Sequence, residues 1–117
     1  MRHSTPAPTK EEAERIELTK ALGCVPCWLL ERGFTPCDYH HCLSGNKRRG
    51  HMFGYGNCLW HHRGEPWLTG KAKTTREILG PSLKLESKAY HARFGSEDEL
   101  IAVQDMLIEK WRECEDS

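Results

Sequence analysis

At 117 residues, with 38% hydrophobic and 29% charged side chains, the chain has material for one core and not for two. No run of residues approaches a membrane span, and the charged, helix-like first twenty residues are unlike a secretory signal. The net charge of zero hides an asymmetry. Basic outnumber acidic side chains five to two over residues 24–64 and six to three over 65–95, whereas residues 96–117 carry two against eight. A basic middle predicts a polyanion partner there, although a merely solvated surface reads the same on charge alone. Without an export signal the expected compartment is the cytoplasm, where thiols stay reduced and Cys-x-x-Cys reads as a metal knuckle before a disulfide.

Residues 1–8 hold two prolines and little to bury, which predicts a disordered lead-in to a single domain over 9–117. Thr9 and Glu12 fit a capping box, and helix formers continue to Gly23. Ala13, Ile16, Lys20 and Ala21 share the thin apolar face of that helix, expected to pack on the metal-bound core. Cys24-Val25-Pro26-Cys27 is a tight knuckle, and Trp28, Leu29 and Leu30 read as core. Residues 38–43 read as a short strand, 44–50 as a basic turn, and 51–57 as a second strand in which Gly54 and Gly56 permit close backbone approach. Cys58 opens a second knuckle and a short helix. Residues 65–82, broken by Pro66 and Pro81, read as a long surface loop. A helix is expected over 85–94, stopping at Gly95. Ser96 and Glu99 form a second capping box, and the final helix, 97–113, turns Leu100, Val103, Leu107 and Trp111 to one face.

Five of the six cysteines and five of the seven histidines fall within residues 24–64. Cys24-x2-Cys27 and Cys58-x2-His61 are thirty residues apart, the spacing of two knuckles that close one tetrahedral zinc site. A closed four-ligand site is structural, because nothing remains for substrate, and a short polar chain gains most from such a staple. Cys37 and Cys42 are competing ligands, or else a loop thiol and a buried strand thiol. Cys114 reads as a bystander. If His61 belongs to zinc, His62 points elsewhere on the same helix. His40 and His41 are neighbours on a strand and project to opposite faces. One can bind a metal while the other approaches substrate where the strand bends. Adjacent histidines on a strand, a strand return and a histidine on a helix make a ββα-metal arrangement.

Tyr39-His40-His41 followed by Cys58-Leu59-Trp60-His61-His62 resembles the HNH endonuclease superfamily. More narrowly, His40-His41-Cys42-Leu43-Ser44-Gly45, Arg49-Gly50-His51, Cys58-Leu59-Trp60-His61-His62-Arg63-Gly64 and Tyr90-His91-Ala92-Arg93-Phe94-Gly95-Ser96-x2-Glu99-Leu100 resemble the phage recombination-enhancement (Ref) proteins, the RecA-dependent nuclease family. The likeness covers roughly residues 22–107, a span that a single short motif does not reach. It implies an α+β fold: a small zinc-stapled ββα-metal core, treble-clef-like in the manner of a His-Me finger, flanked by N- and C-terminal helices. It also implies a metal-dependent DNA endonuclease of phage origin, working in recombination in the bacterial host cytoplasm with the host RecA filament as partner.

By the same resemblance His41 is the general base, for which an imidazole with its ordinary pKa near neutrality is suited. His40 and His62 hold one Mg2+ or Mn2+, which assists departure of a 3′ oxygen and leaves a 5′-phosphate at the nick. Asn57 is the candidate for the family asparagine that orients the base. Pro66 stands one turn after His62, where a further ligand is expected, so the ion has two protein ligands and several waters. Lys47, Arg48, Arg49, His51 and Arg63 flank the site as DNA-binding candidates, although solvated charge describes any one of them equally well. Trp60 and Trp67 are candidates for stacking on bases, with core burial the alternative for Trp60. His91 is expected to pack near the site from its helix. Two other readings fit the same residues: a non-catalytic zinc module that binds nucleic acid or protein, and a regulatory protein that uses its acidic last helix.

Overall fold

The structure is a computed structural model that describes residues 7–44, 47–48, 50 and 52–116, an α+β arrangement of a small sheet among helices. Most of the lead-in, together with Arg49 and His51, lies outside the described residues.

Helix α1 (Lys10–Leu22) starts at the predicted capping box. The Glu12 N–H donates to Thr9 Oγ1 at 3.2 Å and the Thr9 N–H donates to the Glu12 carboxylate at 2.9 Å. Its buried face is Arg15, Leu18 and Thr19, not the stripe through Ala13, Ile16, Lys20 and Ala21. The face has helical spacing, but an arginine at its centre hides it from an apolar pattern. The Arg15 guanidinium donates to Tyr39 Oη at 3.1 Å, the Gly54 carbonyl at 2.9 Å and Asp105 at 2.5 Å, so its buried charge is satisfied. The helix therefore packs on the sheet and the last helix. Gly23 ends it with φ +90°, and a Cβ there would meet the Thr35 carbonyl at 2.5 Å.

The short helix α2 (Val25–Leu29) follows Cys24 and carries Pro26 in its first turn. Five residues bury one face, here Val25, Pro26 and Cys27. Trp28 and Leu29, expected in the core, are exposed.

Strand β1 (Asp38–His41) pairs antiparallel with a later strand (Gly54–Asn57), in the register Asp38↔Asn57, Tyr39↔Gly56, His40↔Tyr55 and His41↔Gly54. Between them the chain does not continue as two long strands. It breaks at Cys42, whose N–H bonds the Phe53 carbonyl at 2.8 Å, and forms a separate short pair of β2 (Leu43–Ser44) with β3 (Lys47–Arg48). The Gly54–Asn57 strand is thus β4. Its glycines are required: a Cβ at Gly54 would meet the Tyr39 ring at 2.5 Å, and one at Gly56 the Gly23 carbonyl at 2.6 Å.

Helix α3 (Leu59–Arg63) ends at Gly64 in the left-handed conformation. The expected surface loop over 65–82 contains a helix, α4 (Ala72–Leu79), which buries Thr75 and Leu79. Helix α5 (Ser87–Phe94) buries Tyr90 and Phe94. Helix α6 (Glu97–Asp116) opens with the predicted Ser96–Glu99 capping box, at 3.0 and 3.1 Å. It buries Leu100, Ile101, Gln104 and Ile108, a face rotated slightly from the expected one. Two buried clusters result. One joins Tyr55, Tyr90, Phe94 and Leu100 behind the sheet, and the other gathers Trp60 and Leu79 around the cysteines. Among the described residues no helix is long and apolar enough to cross a membrane.

Candidate metal centre and active site

Cys24 and Cys58 each sit at the N-terminal boundary of a short helix, α2 and α3, and Cys27 and His61 follow three residues on. Helical spacing folds each pair back on itself, and the buried ligand atoms of the four residues all lie within 4.8 Å of one another. His61 Nδ1 is 3.4 Å from Cys24 Sγ, 3.8 Å from Cys27 Sγ and 3.2 Å from Cys58 Sγ, and the Cys27 and Cys58 sulfurs are 4.0 Å apart. Bonds of about 2.3 Å to sulfur and about 2.1 Å to nitrogen in a tetrahedron give donor–donor edges of about 3.6–3.8 Å, which these distances bracket. His61 Nε2–H donates to the Leu79 carbonyl at 2.8 Å, so the Nδ1 lone pair faces the sulfurs. The Trp67 indole N–H lies 3.4 Å from Cys58 Sγ.

The electrostatics agree with that geometry. Burial and the neighbouring thiols push Cys24 well above the ordinary thiol range, while hydrogen bonds from Cys24 and Cys27 push Cys58 down. Metal binding at such a cluster releases the thiol protons that burial holds in place. The three thiols and one imidazole could hold a metal ion such as zinc. Cys37 stays out of the cluster. It lies 3.6 Å from the Thr19 carbonyl, and burial pushes its thiol up to about 12.

A second cluster includes His62, the next residue of α3 after His61. His40 and Tyr55 face each other across the sheet with ring centroids 5.2 Å apart, and the His40 ring is 5.3 Å from that of His62. His62 Nδ1–H donates to Asp38 Oδ2 at 3.1 Å, an oxygen that Arg63 Nε also reaches at 3.0 Å. His40 Nε2 is 3.4 Å from Glu97 Oε2, at the start of α6. Cys42, fully buried, donates its thiol proton to the same oxygen at 2.6 Å. His91 Nε2 stands 3.5 Å from the other Glu97 oxygen, and His91 Nδ1–H donates to the Gly95 carbonyl at 2.8 Å. Burial works to raise the Glu97 pKa, but hydrogen bonds from His40 and Cys42 outweigh it and hold the carboxyl below its ordinary value. Donor atoms of His40, Cys42 and Glu97 all lie within 4.8 Å of one another.

The remaining sequence candidates distribute around these two centres. His41 is half-buried on the opposite strand face, its ring centroid 5.1 Å from that of Tyr39. Asn57 stands opposite Asp38, three pairs along from His41, and its Oδ1 accepts from the Tyr90 hydroxyl at 2.7 Å. The Tyr90 and Tyr55 hydroxyls are 3.0 Å apart, so this chain of hydrogen bonds ends behind His40. Lys47 and Arg48 form β3, and Arg63 reaches the site through Asp38. Trp60 is buried and donates to the Gly80 carbonyl at 2.8 Å, whereas Trp67 is exposed. Trp67 and Leu59 line a cleft of about 340 Å³ that runs to Asp38. Sequence reasoning missed Asp38 and Glu97. Asp38 had a findable signal, since it shares the His40 face of β1.

One buried set of three thiols and an imidazole that could hold a metal ion, and a second, more open cluster of imidazoles and carboxylates, share a small α+β frame. The chain belongs to the recombination-enhancement, RecA-dependent nuclease family, whose sequence model matches residues 8–109 and so spans both clusters. The family name indicates a nuclease acting in recombination enhancement. No curated protein sequence matches the chain.

Proposed function

We propose that this chain is a metal-dependent DNA endonuclease of the HNH type, encoded by a phage and acting on DNA held in RecA filaments in the bacterial host cytoplasm. The observation that carries this reading is the approach of His40 and His62 across β1 and α3, with His62 held by Asp38. Two strands and a helix that bring these imidazoles together suit a ββα-metal core.

Each residue has a task in that reading. Cys24, Cys27, Cys58 and His61 hold a structural zinc that ties α2 to α3. Asp38 accepts the Nδ1 proton of His62, which directs the other nitrogen to a divalent ion shared with His40. Mg2+ or Mn2+ bound there would offset charge on the scissile phosphate and the departing 3′ oxygen. His41 is on the opposite face of β1 but is its last residue before the break at Cys42. In this reading it approaches from the strand end to take the proton of the attacking water, and the cut leaves a 5′-phosphate. Asn57, expected to orient the base His41, is three pairs away from it along the sheet. It has a different task in this reading, supporting His40 through Tyr90 and Tyr55. Lys47, Arg48, Arg49, His51 and Arg63 hold flanking phosphates. Trp67 and Leu59 offer an unstacked base an apolar surface beside Asp38.

The test is a supercoiled-plasmid nicking assay with Mg2+ or Mn2+, with and without RecA filaments on single-stranded DNA and with chelator as control. Wild-type protein nicks the DNA, and His41→Ala abolishes nicking while keeping zinc and fold. Equal cleavage by both proteins removes His41 from the role of base. Salt-sensitive DNA binding with no cleavage in any condition makes the chain a non-catalytic zinc module instead.

A further inference from the structure

We infer that Trp67 is shared between two sites. Its indole N–H holds the Cys58 thiolate of the metal centre, and its ring walls a cleft that takes one unpaired base of single-stranded DNA. DNA bound in the cleft is thereby coupled to the metal. This coupling deepens the nuclease reading and rests on it for the nature of the ligand.

The chain after α3 carries the indole back to the start of that helix. Gly64 turns it, with its N–H bonded to the Trp60 carbonyl at 2.9 Å, and the Glu65 N–H bonds the Leu59 carbonyl at 3.2 Å. Trp67, whose N–H bonds the Glu65 carbonyl at 2.8 Å, then meets Cys58 at the head of α3, with Nε1 3.4 Å from Sγ. Three thiolates outweigh one dication, so the loaded centre is anionic. A donor from outside the ligand set draws charge from one of its sulfurs and is held by it in return. The indole is fixed in this way although it is 41% exposed.

Its ring lines the cleft of about 340 Å³ together with Leu59, Thr35, Pro36, Cys37 and Asp38. Leu59 and Trp67 both leave apolar surface uncovered there. A flat base of any identity has a π face to offer such a wall, but in a duplex its neighbours cover that face, so the cleft selects an unpaired strand. Asp38 also lies 3.1 Å from His62 and 3.0 Å from Arg63, which makes the cleft continuous with the proposed cleavage site. A base seated on the ring excludes water from the N–H···S contact. A hydrogen bond to a charged sulfur strengthens as the local dielectric falls.

The test uses the full chain loaded with Co2+ in place of zinc, because the sulfur-to-cobalt absorption bands report charge on the thiolates. The probe is oligothymidylate, its binding followed by fluorescence anisotropy. Without DNA, Trp67→Phe moves the bands to lower energy, since Cys58 loses its donor. Oligothymidylate moves the wild-type bands to higher energy, and a blunt duplex of the same length leaves them in place. Trp67→Phe binds the oligonucleotide with no response in its bands. Should Trp67→Phe lose cobalt, hydrogen exchange at the wild-type indole N–H is the second measurement, slower in the zinc-loaded chain than at a free indole; exchange at the free rate overturns the inference. So do wild-type bands in DNA-free Trp67→Phe, wild-type bands indifferent to oligothymidylate, or an equal response to duplex. If the bands respond and plasmid DNA is never nicked, the coupling stands and the nuclease reading falls. If plasmid DNA is nicked while the bands stay fixed, the coupling falls and the nuclease reading stands.

Discussion

The Asp38 carboxylate bridges two consecutive residues of α3: its Oδ2 lies 3.1 Å from His62 Nδ1 and 3.0 Å from Arg63 Nε. One oxygen thereby fixes both the tautomer of a proposed metal ligand and the aim of a proposed phosphate contact. Asp38→Asn removes the charge that holds the His62 proton. Cleavage is expected to fall about 10- to 100-fold with zinc content unchanged, and Mn2+ uptake to weaken in parallel. Steady-state cleavage and a Mn2+ titration of the same preparation check this; a variant with normal uptake and normal rate removes Asp38 from the site.

The Glu97 carboxyl titrates below its ordinary value, with burial opposing and the His40 and Cys42 hydrogen bonds prevailing. A depressed folded-state pKa contributes stability above the unfolded value and loses it as pH falls through the folded one. Between about pH 5 and pH 3 the thermal midpoint of the wild type is expected to drop more steeply than that of Glu97→Gln. Parallel melting curves over that range would mean the carboxylate gains nothing from its neighbours.

Trp67 is exposed beside Asp38, its indole N–H directed at Cys58 Sγ. If a base stacks there, Trp67→Ala weakens single-stranded DNA binding by about 1–3 kcal/mol, or about 5- to 150-fold. Trp67→Phe, which keeps a ring and loses the N–H, retains most of the affinity. Fluorescence anisotropy at fixed salt, with zinc measured on each protein, separates stacking from damage to the metal cluster. Equal binding by all three proteins excludes the subsite.

The cysteine knuckles were legible because a zinc ligand pair is written locally, two residues apart, and each pair begins a short helix. Both capping boxes were legible for the same reason. Helix α4 was not. Its N-terminal boundary residue, Lys71, makes no side-chain cap, two threonines occupy its interior, and only Thr75 and Leu79 are buried. Yet Leu79 supplies the carbonyl that sets the His61 tautomer, so an element that reads as loop determines how the closed cluster is built. The Arg15 face of α1 was hidden because its anchor is a charge, satisfied by partners far along the chain. Glu97 reads in sequence as an ordinary acid in a first helical turn; only the fold carries it to His40.

Two neighbouring histidines are assigned to different centres, and zinc content measured alongside DNA cleavage for His61→Ala and His62→Ala tests that division most directly. His61→Ala is expected to lose zinc and cooperative folding, since structural zinc binding, about 10–16 kcal/mol in zinc-finger peptides, is folding free energy. His62→Ala is expected to keep one zinc and a wild-type melting curve while its cleavage disappears. Full cleavage by His62→Ala, or zinc retained by His61→Ala, would contradict the assignment.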